Sequence, residues 1–246
     1  MKTILVVIPT YNEIENIEAI IRATIKAVPE IDILVVDDNS PDQTAKKVKA
    51  LQKEFVGNLH LLERAGKQGL GTAYIHGFKW ALTQNYAYVC EMDADFSHNP
   101  NDLKRLYAEC RNNNTDLAIG SRYKSGVNVV NWPMNRVLLS YFASKYVQLI
   151  TRMTINDATA GFICYKRNVL ETINFDNIQF VGYAFQIEMK FKAYLNGFKI
   201  EEVPVIFTDR TKGTSKMDGS IISEAVFGVI LMKLKSLFSK KRIKRS

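Results

Sequence analysis

The sequence predicts an α/β domain, a mostly parallel sheet flanked by helices, followed by a C-terminal amphipathic helix. Three observations carry this. Short, wholly apolar, β-branched runs alternate with longer stretches of helical period through the first 120 residues, and strands apolar on both faces belong to parallel sheets buried between helices. Hydrophobic residues make up 47% of the 246, with 24% charged, 13 Gly and 6 Pro, so the chain can bury a large core and lacks the composition of a disordered one. The last 14 residues gather seven bases and no acid behind a helical apolar stripe.

The first strand, Ile4–Ile8, runs into Pro9-Thr10-Tyr11-Asn12-Glu13, where Asn12 and Glu15 mark the start of a helix over Ile14–Val28. A strand at Ile31–Val36 follows. Ser40 then reads as an N-cap, Pro41 as a first helical residue and Gln43 as the closing member of a capping box, for a helix over Pro41–Phe55. Next come a strand at Leu59–Leu62, a glycine-rich turn (Gly66, Gly69, Gly71), a helix over Leu70–Thr83 and a strand at Tyr86–Met92. The turn lacks the G-K-[ST] of a phosphate loop and no G-x-G-x-x-G follows the first strand, which argues against a dinucleotide oxidoreductase. After a strand at Asp116–Gly120 the alternation loosens into a loop and an apolar helix, Arg136–Arg152, with a late strand at Ile200–Phe207. No linker or repeat interrupts the chain, so the expected organisation is one domain over residues 1–218 and a tail over 219–246.

The net charge of +8 sits in that tail: residues 233–246 hold seven of the 33 bases, leaving 26 against 25 acids elsewhere. Phe227, Ile230, Leu231, Leu234, Leu237 and Phe238 share one helical face. An apolar face ending in a polybasic run suits an anionic membrane surface, where each base contributes about 1 kcal/mol; a helix docked on the domain with a solvated tail is the alternative. The apolar run Ala225 to Met232 is too short to span a bilayer. The terminal KKRIKR by itself is the only support for nucleic acid as a partner, and none is expected. Without an export signal in the first residues, and with three scattered cysteines (Cys90, Cys110, Cys164), a cytoplasmic, reducing location is expected, peripheral on the inner face of a membrane.

In an open α/β sheet, ligands sit beyond the carboxyl ends of the strands, and here those ends carry chemistry. Asp37 and Asp38 end the second strand, and either one is suited to accept from ribose hydroxyls. Asp93 and Asp95 follow the fourth, offering hard oxygen ligands on one turn that favour Mg²⁺ or Mn²⁺ bridging a diphosphate, or else a merely solvated turn. Arg210, Lys212 and Lys216 form a basic loop that either grips phosphate or stays solvated. Arg122 ends the fifth strand, and Arg136 with Ser140 one turn on opens the apolar helix. These three fit a phosphate carried on a lipid, or equally the surface of an ordinary helix. The histidines (His60, His76, His98) are scattered, with no hydrolase triad.

The segments PTYNE, VVDDNSPDQT, MDADFSH, GSRY, GYAFQIE and RTKGTSK occur in the order found in family 2 GT-A glycosyltransferases. Over about Thr3 to Asp218 the chain most resembles the dolichol-phosphate (polyprenol-phosphate) mannose synthases within them. The resemblance implies a Rossmann-like GT-A fold and inverting transfer of mannose from GDP-mannose to a polyprenyl phosphate. By motif position, Pro9, Tyr11, Glu13, Val36 and Asp38 would hold the guanosine; Asp93, Ala94 and Asp95 the metal and diphosphate; Arg210 and Lys216 the donor phosphates. Arg122, Arg136 and Ser140 would meet the acceptor phosphate, making Asp95, Arg122 and Arg210 the catalytic set, while Gln186 and Glu188 would face the sugar. Ser97 stands where some relatives place a Gln metal ligand, and the C-terminal spanning helices of many relatives are absent, which points to the basic helix or a small membrane-protein partner for attachment. The alternatives are a polyprenyl-phosphate glucosyltransferase using UDP-glucose and a non-catalytic, membrane-bound nucleotide-binding protein.

Overall fold

The computed structural model describes residues 2–182, 184–209 and 220–238, with side chains described from 226 to 237 in the last stretch. Its strands are β1 (Lys2–Thr10), β2 (Ile31–Asp37), β3 (Leu59–Glu63), β4 (Tyr86–Glu91), β5 (Leu117–Ser121), β6 (Val129–Val130), β7 (Ile163–Lys166), β8 (Ile200–Pro204) and β9 (Phe207–Thr208). The helices are α1 (Ile17–Ala27), α2 (Thr44–Leu51), α3 (Leu70–Thr83), α4 (Leu103–Asn112), α5 (Met134–Thr151), α6 (Arg167–Thr172), α7 (Ala184–Leu195) and α8 (Ser220–Phe238).

Seven strands form one sheet in the order β3-β2-β1-β4-β7-β5-β8. β1 to β4 are parallel, β7 runs antiparallel to both β4 and β5, and β8 is parallel to β5. Succession from β1 goes outward to β3, then returns to the other side of β1 with β4. The reversal places the ends of β1 and β4 side by side, where a crevice opens in such sheets.

Side-chain alternation along β1 explains the two cores. Leu5 and Val7 point to the face covered by α3 and α7, with Phe78, Tyr165 and Phe185, while Ile4, Val6 and Ile8 point to the face covered by α1, α2 and α4, with Ile17, Val48 and Leu106. Each such side chain, fully buried, is worth roughly 1.5–3 kcal/mol. Helix α3 lies so close to β1 that a Cβ on Gly77 would sit 2.5 Å from Val7 Cγ1.

Local details depart from the sequence pattern. The capping box at Ser40 does not form, because Ser40 is engaged elsewhere: its N–H and hydroxyl both donate to Asp37. Gln43 adopts a left-handed φ of 71°, and α2 begins only at Thr44, whose N–H donates to Asp42. Asn12, also left-handed (φ 58°), does not cap α1, which begins at Ile17. The expected strand over 200–207 breaks in two. Pro204 has no N–H to continue the ladder, and beyond it β9 leaves the main sheet to pair with β6, Val129 opposite Phe207.

Helix α8 packs against α5 and α7. Val229 and Gly228 are buried, Gly228 against the Phe180 ring, and the Tyr146 hydroxyl donates to the Val226 carbonyl at 2.8 Å. The predicted apolar stripe faces outward: Phe227 is 69% and Leu237 67% exposed, with Leu231 and Leu234 between them. Among the described residues, no helix is long and apolar enough to cross a membrane.

Candidate functional site

At the ends of β1 and β2 the two following loops are stitched together. Buried Asp37 accepts from the hydroxyls of Thr10 (2.8 Å) and Ser40 (2.7 Å), and Ser40 Oγ accepts the Asn12 N–H. Thr44 Oγ1 accepts the Glu13 N–H, and Asp42 the Ile14 N–H. Of the two acids offered toward ribose, Asp37 is therefore spent on the fold. Asp38 lies beside it, gripped in bidentate fashion by Arg64, Nε at 2.6 Å and Nη2 at 2.7 Å. Thr72 holds the third guanidinium nitrogen at 2.8 Å. Pro9 pairs in register with Val36, Tyr11 and Glu13 are half-buried just beyond, and the Lys67 ammonium lies 5.3 Å from the Tyr11 ring centroid. The five residues expected to hold a nucleoside thus share one corner of the sheet rim.

The acidic turn follows β4 at the reversal point. Asp95 is buried and accepts the Ser97 N–H at 3.0 Å across a left-handed Phe96 (φ 62°). The Tyr74 hydroxyl donates to Asp93 at 3.3 Å. Ser97 Oγ is buried without a hydrogen-bond partner, an oxygen left over beside the two carboxylates. Two carboxylates and a hydroxyl on one turn suit Mg²⁺ or Mn²⁺, which keep several waters and bind few protein oxygens alongside substrate phosphates. No group of three His, Cys, Asp or Glu side chains is arranged for a metal among the described residues. His98, not foreseen as part of the site, stacks on Phe162 at 4.7 Å, and its Nδ1 accepts the Asp93 N–H at 3.1 Å. Burial pulls its pKa down to about 4, so at neutral pH it is an uncharged buttress of the turn.

The cationic side is built around Arg122. Its Nε and Nη2 donate to Asp157 at 2.7 and 2.6 Å, and Nη2 also donates to Thr159 at 2.8 Å. Burial pushes the Asp157 carboxyl up, but the adjacent guanidinium outweighs it and holds the pKa below the usual range. The rings of Tyr123, Trp132 and Phe207 lie 5.4, 5.2 and 5.6 Å from the guanidinium carbon. Arg136 stacks on the same Trp132 ring at 4.0 Å and donates to Asp209 at 2.8 Å. Ser140, one turn along α5, has its hydroxyl buried beside that of Tyr123, outside regular hydrogen-bond geometry. Arg122, from the end of β5, therefore converges with Arg136 and Ser140 of α5.

All three line a cavity of about 390 Å³ that also reaches Asp93, Ser97 and His98. Phe142 and Tyr146 of α5 and Val226 and Val229 of α8 also line it. Gln186 lines the cavity too. Its amide nitrogen donates to buried Glu91, leaving the amide oxygen, without a partner, as the remaining acceptor. Glu188, expected beside it, is turned away: it accepts the N–H groups of Gln179 and Phe180, as residues two apart on a helix face different ways. Arg210 and Lys216 lie outside the described residues.

Arg64, Asp157 and Thr159 had no signal in the sequence, because each acts through a partner 26 to 37 residues away. Gly69 had one. Its φ of 98° and a notional Cβ 2.9 Å from the Val181 carbonyl explain the glycine-rich turn as close packing against the segment before α7.

Comparison with known proteins agrees with this geometry. The family model described as glycosyl transferase family 2 matches residues 5–173. The polyprenol monophosphomannose synthase of Mycolicibacterium smegmatis is 46% identical over 225 residues, covering 92% of this chain and 84% of that protein. The undecaprenyl-phosphate mannosyltransferase of Micrococcus luteus is 43% identical over 226 residues and 92% of each chain. The glucosyl-3-phosphoglycerate synthase of Mycobacterium tuberculosis, solved with Mn²⁺, uridine diphosphate and phosphoglyceric acid, has the same fold. Its TM-score is 0.69 over 96% of this chain and 78% of that one, at 18% identity. With a sheet, crevice and sequence of this kind, the chain belongs to glycosyl transferase family 2 and has the GT-A fold.

Proposed function

We propose that the protein is an inverting transferase that moves mannose from GDP-mannose to a polyprenyl phosphate. The observation that carries this is a single cavity whose lining joins the Asp93 carboxylate and the arginines Arg122 and Arg136 to apolar side chains of α5 and α8. A phosphate carried on a hydrocarbon chain matches both kinds of lining. The names of the relatives at 46% and 43% identity support mannose as the sugar and a polyprenyl phosphate as the acceptor.

On this reading Pro9, Tyr11, Glu13, Val36 and Asp38 hold the guanosine, and Arg210 and Lys216 the donor phosphates. Asp93, Ala94 and Asp95 receive the diphosphate with Mg²⁺ or Mn²⁺; related GT-A structures were solved with either ion. Such an ion, when bound, neutralises charge on a departing diphosphate. Arg122, Arg136 and Ser140 orient the acceptor phosphate. One of its oxygens attacks the anomeric carbon from the side opposite the diphosphate. The new carbon–oxygen bond forms as the bond to the diphosphate breaks, GDP leaves with the electron pair, and the configuration inverts. The second pKa of such a phosphate is about 6, so the nucleophile is already anionic at neutral pH and needs no general base. Rate then comes from alignment and from cations placed where charge develops.

Residues 1–218 carry the polar groups of the reaction, and 219–246 hold the protein peripherally on the cytoplasmic leaflet, with Val226 and Val229 adding an apolar wall to the cavity. The outward faces of α8 and α5 support this seat: Phe142 is 61% exposed, Met134, Leu138 and Leu149 accompany it, and α5 contains no acidic residue. The test is to incubate purified protein with GDP-[¹⁴C]mannose, a divalent ion and polyprenyl phosphate, and to count label in the organic phase. Label that depends on the ion and disappears in Asp95→Ala is the expected result. Absence of label, transfer from UDP-glucose instead, or full activity in Asp95→Ala overturns the assignment.

A further inference from the structure

The geometry points to Lys190 as a positioning residue for the acceptor-phosphate pocket, acting through the loop of residues 156–161; this rests on the proposed lipid-phosphate role of Arg122. That loop, Asn-Asp-Ala-Thr-Ala-Gly, has no regular structure but is largely buried. Buried backbone groups need partners, and here charged side chains provide them from two directions. The Glu202 carboxylate accepts the N–H groups of Asn156 (3.0 Å) and Asp157 (2.9 Å). The Lys190 ammonium donates to the carbonyls of Ala158 (3.1 Å) and Ala160 (2.5 Å). Between these points the loop presents Asp157 and Thr159 to Arg122.

Lys190 projects from α7, fully buried. Its third N–H returns to the Gln186 carbonyl at 3.2 Å, so all three ammonium donors are used, and none of the described carboxylates is within ion-pair distance of it. Burying an ammonium this way is expensive, and an apolar side chain of similar length would fill the same volume at lower desolvation cost. What the charge provides instead is a fixed spacing between two alternate carbonyls and the turn of α7 that carries Gln186 into the cavity. Arg122 takes its orientation from Asp157 and Thr159, one residue before each of those carbonyls. Releasing the carbonyls lets both anchors drift, and an arginine aimed at a phosphate loses alignment while the nucleoside corner, on the other side of β1, is untouched.

Two variants test this by calorimetric titration of the full-length protein with farnesyl phosphate and, separately, with GDP. Lys190→Met removes the donors but keeps the length; Glu202→Gln loosens the opposite end of the same loop without touching Lys190. Both are expected to weaken farnesyl phosphate binding at least tenfold while GDP affinity stays within twofold. A Lys190→Met protein that folds and binds farnesyl phosphate like the wild type overturns the inference. So do parallel losses toward both ligands, which would mark a purely structural role. Should Lys190→Met not fold, unaltered farnesyl phosphate affinity in Glu202→Gln is decisive against it. Wild-type protein that binds farnesyl phosphate but transfers no mannose counts against the proposed activity, not against the strut; wild-type protein that does not bind it removes the pocket Lys190 is said to align.

Discussion

Asp157→Asn isolates the electrostatics of the cationic side. Arg122 is 7% exposed and Asp157 fully buried, and the amide keeps the shape of the carboxylate and the bond from the Arg122 N–H (2.9 Å) while removing its charge. Stranding one member of a buried ion pair costs about 3–5 kcal/mol. The three rings at 5.2 to 5.6 Å remain, and cation–π attraction of order 1–2 kcal/mol keeps the guanidinium from being wholly orphaned, which places the loss near 3 kcal/mol. In a chain of this length each kcal/mol moves the thermal midpoint by roughly 2–4 °C, so circular dichroism should show a fall of about 6–12 °C. Adding Arg122→Met puts an apolar side chain among the same rings. Because well-packed hydrophobic groups replace buried pairs at little cost, the double variant should regain most of the stability but, lacking the Arg122 guanidinium, transfer no mannose. A single variant melting within about 2 °C of wild type, or a double variant melting below the single, would refute this account of Arg122.

Other consequences are equally measurable. Gly77→Ala should lower urea stability by about 1–3 kcal/mol through collision with Val7, despite the better helix propensity of alanine; a stabilised variant would mean that α3 and β1 are not in close contact. Burial pulls the Lys190 pKa down to about 8 from 10.5, so between those values the unfolded chain carries one more proton than the folded one. The contribution of Lys190 to stability therefore rises with pH across that window, by up to about 3 kcal/mol. Cys110, its thiol pushed up by the contact with Cys164 and by burial, and Tyr74, its hydroxyl pushed up by burial, pull the other way, so the effect is read as the difference between wild type and variant. Lys190→Met should lose the rise, and parallel melting-versus-pH curves would exclude it. Phe227→Ser with Leu231→Ser should reduce co-sedimentation with anionic vesicles at least tenfold, since each large apolar side chain buried contributes roughly 1.5–3 kcal/mol, while the melting temperature stays put; unchanged sedimentation would dissociate α8 from the membrane.

Strands β1 to β4 were legible because a strand covered on both faces must be apolar throughout, and a rim of acids after them marks where such a sheet binds ligands. Strand β7 was not, since four residues, Ile163–Lys166, carry no period, and only closure against β4 and β5 makes them a strand. The box at Ser40 failed for a related reason: a hydroxyl can cap a helix or tie two loops together, and the distant Asp37 claimed it. Periodicity on α8 revealed an apolar face but not its direction, because a glycine that accommodates Phe180 decides which side docks. The candidate site was legible where a motif gathers polar groups on one turn, as at Asp93 and Asp95, and hidden where the charge on Arg122 is managed by Asp157 from another element.

One wall of the cavity, at Val226 and Val229, comes from α8. A polypeptide shortened at residue 218 for ease of handling would retain every strand and every acid on the rim, yet lose the plank that shelters the hydrocarbon end from water. Such a truncated enzyme should still take up nucleotide but handle long-chain acceptors poorly, and its kinetics would describe half of the catalyst.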